Sequence, residues 1–416
     1  MGSSKNISRR KSQKVGCAAV HAHLYDVTKT CYGAGVTPIE GLLLLAAAPA
    51  SGLAADAEAQ WVSFTLTAAN QIRFAAQIDG RPAAAILDTG VTTTTVSRRF
   101  ANAAKLKQRV GPGALTISGP VASAWTQPHT LTFGAVTQTG SRFAVADLTA
   151  AATGGALVDL LVGTDVTAPY ALDIDYEAHR FRLLRSGRLP FHGSIAPLRL
   201  GATWPFYGTS VTIRGVSIAR IAIDTGDGTG LSLSRRAADV LPTRPALTTT
   251  TLDYALGGAT IADLAILPEF QSGSLTIRNV ELRIEPPRGF AEATGMAGRI
   301  GSGLLQHYRV LLDPTAGRMV LAAGRDAGRP PLRSTSGLLL ATRPNRLDVL
   351  HVMRGSPAER AGFTTGDTIC AVDDVAITRS YEASGLARWP IGAPGRTVRL
   401  TDCAGVARPI TLRYFY

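Results

Sequence analysis

The sequence predicts a mostly β protein made of two similar β lobes followed by a smaller C-terminal β module. Three observations predict it. Runs rich in Thr, Val and Ile are broken by Gly and Pro, and long helical periodicity is missing. Two landmarks recur in the same order about 136 to 138 positions apart, which marks a duplication. The stretch "GRDAGRPPLRS", from Gly324 to Ser334, reads as a linker, and the pattern changes after it.

Taken in order, residues 1–57 read as a leader. "GLLLLAAAPASGLAADAEAQ", from Gly41, is a short apolar run followed by small residues around Ala54 to Ala57, the pattern of a secretory signal and its cleavage site. Glu40 stands where a positive segment belongs, and the basic run from Arg9 to Lys14 lies well upstream. A start assigned too early, with synthesis beginning near Val36 and 1–35 as surplus, accounts for both. The competing reading is a disordered, weakly hydrophobic leader. No Cys follows the small residues, so lipid attachment has no support.

The first lobe spans 58–190 and the second 191–324, joined near Arg188 to Leu200. "IRFAAQIDGRPAAAILDTG" and "TSVTIRGVSIARIAIDTG" each read as two alternating strands with a turn at Gly80 or Gly215. Further on, "LLVGTDVTAPYALDIDYEAHRFRLL" and "RIGSGLLQHYRVLLDPTAGRMVLAA" align Tyr170 with Tyr308, Asp175 with Asp313 and Arg180 with Arg318. Short helices are expected after Ser97, after Ser234, and following Gly163 and Gly303. Beyond the linker at 325–335, the module at 336–416 reads as a strand, a turn at Gly355, a short helix near Pro357 to Ala361, a turn at Gly366-Asp367, another strand, and a hairpin around Ala404-Gly405.

Composition narrows the function classes. With 416 residues, 45% hydrophobic and 18% charged, the chain can bury real cores, which excludes disorder throughout. The net charge of +13 comes mostly from Arg scattered singly among small residues, a dispersed basic surface. A basic nucleic-acid-binding β protein would show salt-sensitive retention on DNA, and no motif for it is present. No run of about 18 apolar residues offers an ordinary membrane span. Cys17 and Cys31 fall in the leader. That leaves Cys370 and Cys403, which in an exported chain are a disulfide pair and otherwise two small buried hydrophobes. Nothing around them suggests a metal.

The chemistry is carried by "AILDTGVTTTTVSRRF", from Ala85, and "IAIDTGDGTGLSLSRR", from Ile221. Each places Asp-Thr-Gly after an apolar strand, and each is followed some 75 positions later by an apolar-Gly pair ending at Gly163 or Gly301. Two such loops facing each other build a pair of carboxylates; one alone is an ordinary turn. The doubled set resembles the aspartic peptidases of the retropepsin and pepsin clan from about Trp61 to Gly324. From Gly337 onward, "GSPAERAGFTTGDTI" resembles the PDZ modules of bacterial exported proteases, and the two occur together in bacterial predicted peptidases.

The resemblance implies two fused retropepsin-like acid protease lobes plus a C-terminal PDZ domain, acting as an aspartic-type endopeptidase on protein or peptide substrates. Asp88 and Asp224 would share one proton and exchange acid and base roles around a water, because like charges a few Å apart cannot both ionise cheaply. Thr89 and Thr225 would hydrogen-bond across the interface. Gly90 and Gly226 would permit the tight turn that brings backbone N–H groups to the carboxylates. The hydroxyls of "VTTTTVS" could support Asp88. Asp227 stands close to where the pepsin-like enzymes have Ser or Thr, and would either point to solvent or disturb Asp224. Flaps are expected at Ser118 to Trp125 and Ala255 to Ile261, with Trp125 packed or lining the cleft.

Other chemistries find little. The seven His are dispersed with no His-Glu-x-x-His, "GLSLS" lacks the final Gly of a nucleophile elbow, and no phosphate loop or dinucleotide fingerprint is visible. No cofactor or metal is expected, and His351 reads as structural. In the module, Gly337, Leu338, Leu339 and Leu340 would form the peptide-binding loop and strand, receiving an extended or C-terminal segment by strand addition. The alternative to an enzyme is a catalytically decayed, exported peptide-binding scaffold. Two lobes in one chain imply a monomer, with export to the periplasm or medium.

Overall fold

The computed structural model describes residues 50–416 apart from 112, 117–118, 122–123, 151, 243–247 and 256–257. Most of the leader, with Cys17 and Cys31, lies outside the described residues, as do parts of both expected flap segments. Within the expected leader, Ala50–Leu53 forms a strand against Val136–Ser141.

The duplication is visible strand by strand. In the first half, Ile72–Ile78 and Arg81–Leu87 form a hairpin; in the second, Tyr207–Ile213 and Val216–Asp224 do the same. Both turns carry two successive residues of positive φ, Asp79 and Gly80 or Arg214 and Gly215. That geometry matches the right-handed twist of the flanking strands, and the Gly takes it without strain. Each hairpin's second strand then accepts a parallel neighbour, Leu160–Val162 or Gly298–Gly301, inserted from about 75 residues downstream. Asp88 and Asp224 stand at the ends of these second strands.

The short helices follow their caps. Ser97 accepts the Phe100 N–H at the start of Arg98–Ala103, and Ser234 accepts the Ala237 N–H at the start of Arg235–Asp239. In the second half the helix beside the site is Ser302–Leu305, beginning before Gly303.

Between the halves the chain does more than link them. One sheet runs in the order Ser194–Pro197, Arg318–Ala323, Tyr308–Asp313, Ala171–Asp175, Arg180–Leu184, Val62–Leu66, so three strands of the second half continue into three of the first, joined where Tyr308–Asp313 pairs with Ala171–Asp175. Fully buried Asp173 sits on it, paired with Arg182 from its own half and Arg309 from the other, each at 3.0 Å. The apolar core is continuous across both halves, from Phe74, Phe133 and Phe181 to Tyr207 and Phe270. Burying each such side chain contributes about 1.5–3 kcal/mol.

The C-terminal module is a separate sheet in the order Leu338–Arg343, Arg346–Val352, Thr368–Val372, Thr397–Asp402, Ala407–Thr411, around a core that includes Leu347, Ile369 and Trp389. The helix Pro357–Arg360 is capped by Ser356, and Cys370 and Cys403 are joined by a disulfide. The end of the expected linker is built into this module: the Thr335 N–H donates to the Pro390 carbonyl, and its own carbonyl accepts from Arg413. The module packs on the second lobe. Thr249 Oγ1 donates to the Arg354 carbonyl at 2.7 Å, Thr250 Oγ1 meets His351 Nε2 at 2.8 Å, and Leu264, Met353 and Tyr416 share one apolar cluster. His351 thus serves this junction.

Candidate active site

The two Asp-Thr-Gly loops meet face to face at the seam of the lobes. The Thr89 N–H donates to Thr225 Oγ1 at 3.0 Å, and the Thr225 N–H donates to Thr89 Oγ1 at 3.0 Å. Each hydroxyl in turn donates to the carbonyl two residues before its partner threonine, Thr89 to Ile223 at 2.7 Å and Thr225 to Leu87 at 2.8 Å. Both threonines are fully buried, so all four bonds are shielded from water. The only way to keep these donors and acceptors paired is to keep the lobes in register.

That register fixes the carboxyls. Asp88 and Asp224 are both buried and lie close enough for each to act on the ionisation of the other. The Gly90 N–H donates to Asp88 Oδ1 and the Gly226 N–H to Asp224 Oδ1, both at 3.0 Å. The glycines do more than turn the chain. A Cβ on Gly90 would lie 2.2 Å from Asp224 Oδ1, and a Cβ on Gly226 would lie 2.2 Å from Asp88 Oδ1, so each loop makes room for the opposite carboxyl.

The hydroxyls after the first motif act one layer further out than expected. Thr94 donates from N–H and Oγ1 to Asp165, and its Oγ1 accepts the Gly163 N–H, which braces the loop behind Asp88. Of the two places foreseen for Asp227, solvent is excluded; it lies beside Asp224 and its charge adds to the rise of that carboxyl. It is buried, and its Oδ2 accepts from Arg299 Nε at 3.0 Å, because Arg299 fills the position beside it on Gly298–Gly301. Arg299 also bonds Glu285.

Electrostatics separate these acids. Burial pushes Asp224 well above the ordinary carboxylate range, with Asp88 and Asp227 adding to the rise and Arg299 opposing it. Burial likewise pushes Asp88 up to about 6, against the N–H groups of Gly90 and Val91, with the Asp227 charge adding to the rise. For Asp227 burial acts upward too, but the Arg299 guanidinium outweighs it and holds the carboxyl below its usual range. The two raised carboxyls are thus poised to hold one proton between them, with Asp227 held ionised beside them.

A cleft of about 630 Å³ opens above the pair. Val91, Ala144, Ala146, Leu161 and Trp125 wall the first half; Trp204, Phe206, Phe290 and Tyr254 wall the second. Trp125 both lines this cleft and packs over Gly111. The indole N–H groups of Trp125 and Trp204 are buried and meet no acceptor among the described residues.

Several residues of the site carry no motif. Gln71 Nε2 donates to the Gly226 carbonyl at 2.7 Å and Asn70 Nδ2 to the Gly228 carbonyl at 3.1 Å, tying a loop of the first lobe to the second motif. Ser302 Oγ donates to the Thr225 carbonyl at 2.8 Å. The signal for Ser302 was its place directly after Gly301, matching Thr164 after Gly163.

In the module, Leu338, Leu339 and Leu340 border a groove of about 660 Å³ beside the edge strand Leu338–Arg343. Leu338 turns into the module's core and Leu339 toward the second lobe. The Gly337 N–H, expected to face a ligand carboxylate, donates to Ser334 Oγ at 2.9 Å, and the Leu338 N–H to Ser336 Oγ at 3.2 Å. Gly337 has φ +83°, and a Cβ there would strike Ser356, so glycine is required by the loop itself.

Residues 74–166 match the family described as aspartyl protease, and residues 349–401 match the family described as PDZ domain. No curated protein matches the chain. The chain thus carries an aspartyl protease domain and a C-terminal PDZ domain, in a mostly β fold of acid protease type.

Proposed function

We propose that the chain is an aspartic-type endopeptidase in which Asp88 and Asp224 work as one unit. The observation that carries this reading is the reciprocal bonding of Thr89 and Thr225, which sets the two carboxyls opposite each other at the floor of a cleft. Asp88, ionised, takes a proton from a water as that water attacks the substrate carbonyl carbon. Asp224, protonated, gives its proton to the carbonyl oxygen, and the resulting diol collapses with proton transfer to the leaving amine. The apolar and aromatic walls suit the side chains of an extended peptide, and the indole N–H groups of Trp125 and Trp204 suit its backbone carbonyls.

The groove of the PDZ domain shares Leu252, Tyr254 and Arg283 with the cleft as common wall. This continuity supports a recruiting role: an extended segment added to the edge strand Leu338–Arg343 lies next to the cleft entrance. Both motifs lie on one chain, which supports activity as a monomer, and the Cys370–Cys403 bridge supports an exported protein in an oxidising compartment. The alternative, a decayed peptide-binding scaffold, drew on Asp227. The pairing of that carboxylate with Arg299 favours the enzyme.

The test is digestion of a peptide library between pH 4 and 8 with the native protein, Asp88→Asn and Asp224→Asn. Cleavage is expected from the native protein alone; cleavage that survives both substitutions rejects the assignment. Leu340→Glu in the groove should slow cleavage of long unfolded substrates and spare short peptides. Equal loss on both would assign the PDZ domain to folding.

A further inference from the structure

Asp88 and Asp224 sit in loops whose threonine and glycine bonds match pair by pair, so the shared motif gives neither carboxyl a preference for the proton. The layer behind each loop is where the halves differ. In the first half Val91 and Leu161 stand there, joining Ile86 and Val158 in an apolar cluster. In the second half the same two positions hold Asp227 and Arg299. Asp227 follows Asp224 as Val91 follows Asp88, and Arg299 pairs with Ala222 in the sheet as Leu161 pairs with Ile86. Both exchanges put a charge where its counterpart is apolar.

Arg299 is 2% exposed, and its guanidinium is divided among Glu285, Asp227 at 3.0 Å and Asp224 at 3.8 Å. The last distance is too long for a hydrogen bond, so Arg299 reaches Asp224 through its field and through its grip on Asp227. Two carboxylates to one guanidinium leave a net negative charge fixed on Asp224's side of the pair. We infer that the buried unit of Asp227, Arg299 and Glu285 is a positioning device that makes the half-sites inequivalent, keeping the shared proton on Asp224 and leaving Asp88 as the base.

The inference deepens the endopeptidase reading and rests on it for the roles of acid and base. Its physical cause is that an anion disfavours a second anion beside it where water cannot screen the pair. Among the described residues, the charged groups facing Asp224 and Asp227 are Asp88 from the first half, Arg299, Glu285, and Glu281 and Arg283 on Leu275–Ile284, with Arg283 itself paired to Asp253. Asp227 adds to the upward shift of both Asp224 and Asp88, but it is Asp224 whose Oδ1 the Asp227 N–H meets at 3.1 Å and whose rise Arg299 opposes.

The experiment titrates one carboxyl at a time. Carbon-13 NMR of Asp-labelled protein would follow Asp224 in the Asp88→Asn variant and Asp88 in the Asp224→Asn variant. Asp224 is expected to titrate at least about one pH unit above Asp88. Adding Asp227→Asn to each should shrink the gap, and Asp227→Glu should restore it. Equal midpoints in the two single variants overturn the inference, even should Asp227→Asn fail to fold. Because the readout needs no turnover, it stands apart from the digestion that tests the endopeptidase reading. In active protein, Asp227→Asn should also move the alkaline limb of the pH profile of kcat/KM down; an unmoved limb counts against the device.

Discussion

Replacing Gly90 by Ala tests whether the two carboxyls occupy the place described. Gly90 needs no left-handed backbone, so alanine is conformationally allowed and the substitution probes space alone. The added Cβ would lie 2.2 to 2.3 Å from Oδ1, Cγ and Oδ2 of Asp224. Ordinary contact is roughly 1 Å longer, so the Asp224 carboxyl must move by about that much. It has little freedom to do so, since Oδ1 is held by the N–H groups of Gly226 and Asp227 at 3.0 and 3.1 Å. A displacement of about 1 Å at a reacting group lowers turnover by about 100-fold, or about 2.7 kcal/mol of barrier. The strain should also cost the fold about 1–3 kcal/mol. The assay is kcat/KM on a short peptide, with urea unfolding to show that the variant is folded. Gly385→Ala, where a Cβ meets nothing within 4 Å, is the silent control. A folded Gly90→Ala variant with activity within about threefold of native would refute the placement of Asp224 against that loop.

Thr225→Val keeps the shape but removes the acceptor of the Thr89 N–H and the donor to Leu87, and should cost about 2–4 kcal/mol in urea unfolding; a loss below about 0.5 would show that the cross-lobe bonds do not form. Asp88 is raised from 3.8 to about 6, so the folded state binds its proton more tightly than the unfolded chain does. The stability linked to that proton is fully present below about pH 4 and is lost as pH rises to about 6. Asp88→Asn should therefore match the native protein near pH 4 and exceed it by up to about 3 kcal/mol at pH 7, read from urea unfolding at the two pH values. Equal differences at both would contradict the raised pKa. The Cys370–Cys403 bridge spans 33 residues, and Cys370→Ala with Cys403→Ala should destabilise the PDZ domain by about 3 kcal/mol while sparing short-peptide hydrolysis; an unchanged melting curve would count against the bridge.

What could be read from the sequence was what is local and repeated. The two hairpins announce themselves through alternation and their turn glycines, and Ser97 and Ser234 mark helix starts, because caps and turns act within a few residues. The central sheet was hidden. The segments that hold Ala171–Asp175 and Tyr308–Asp313 align as counterparts in the duplication, but nothing in either reveals that they pair with each other, since pairing is decided by which edges meet in space. Arg299 was missed for a related reason. In "RIG" it reads as the approach to a glycine, and its meaning appears only when Leu161 is laid on it and Val91 on Asp227. Two unlike charges replacing two apolar residues at paired positions of a duplication are a signal, but only once the sheet register says that the positions touch. Gln71 and Asn70 had no such signal, because an amide bonding a backbone carbonyl leaves no trace in the partner's side chain.

The joining of both halves in one central sheet sets the order in which the molecule can be made. Ser194–Pro197 waits for Arg318–Ala323, and Ala171–Asp175 waits for Tyr308–Asp313, so each pairing closes a loop of well over 100 residues. Such closures are entropically costly and slow to form, and they place much of the search late in folding. During synthesis, the segment bearing Asp88 emerges long before the strands that seat its lobe against the second. The pair of Asp88 and Asp224 is therefore assembled only after the chain has been made nearly to its PDZ domain, so a half-finished molecule holds one carboxyl without its partner.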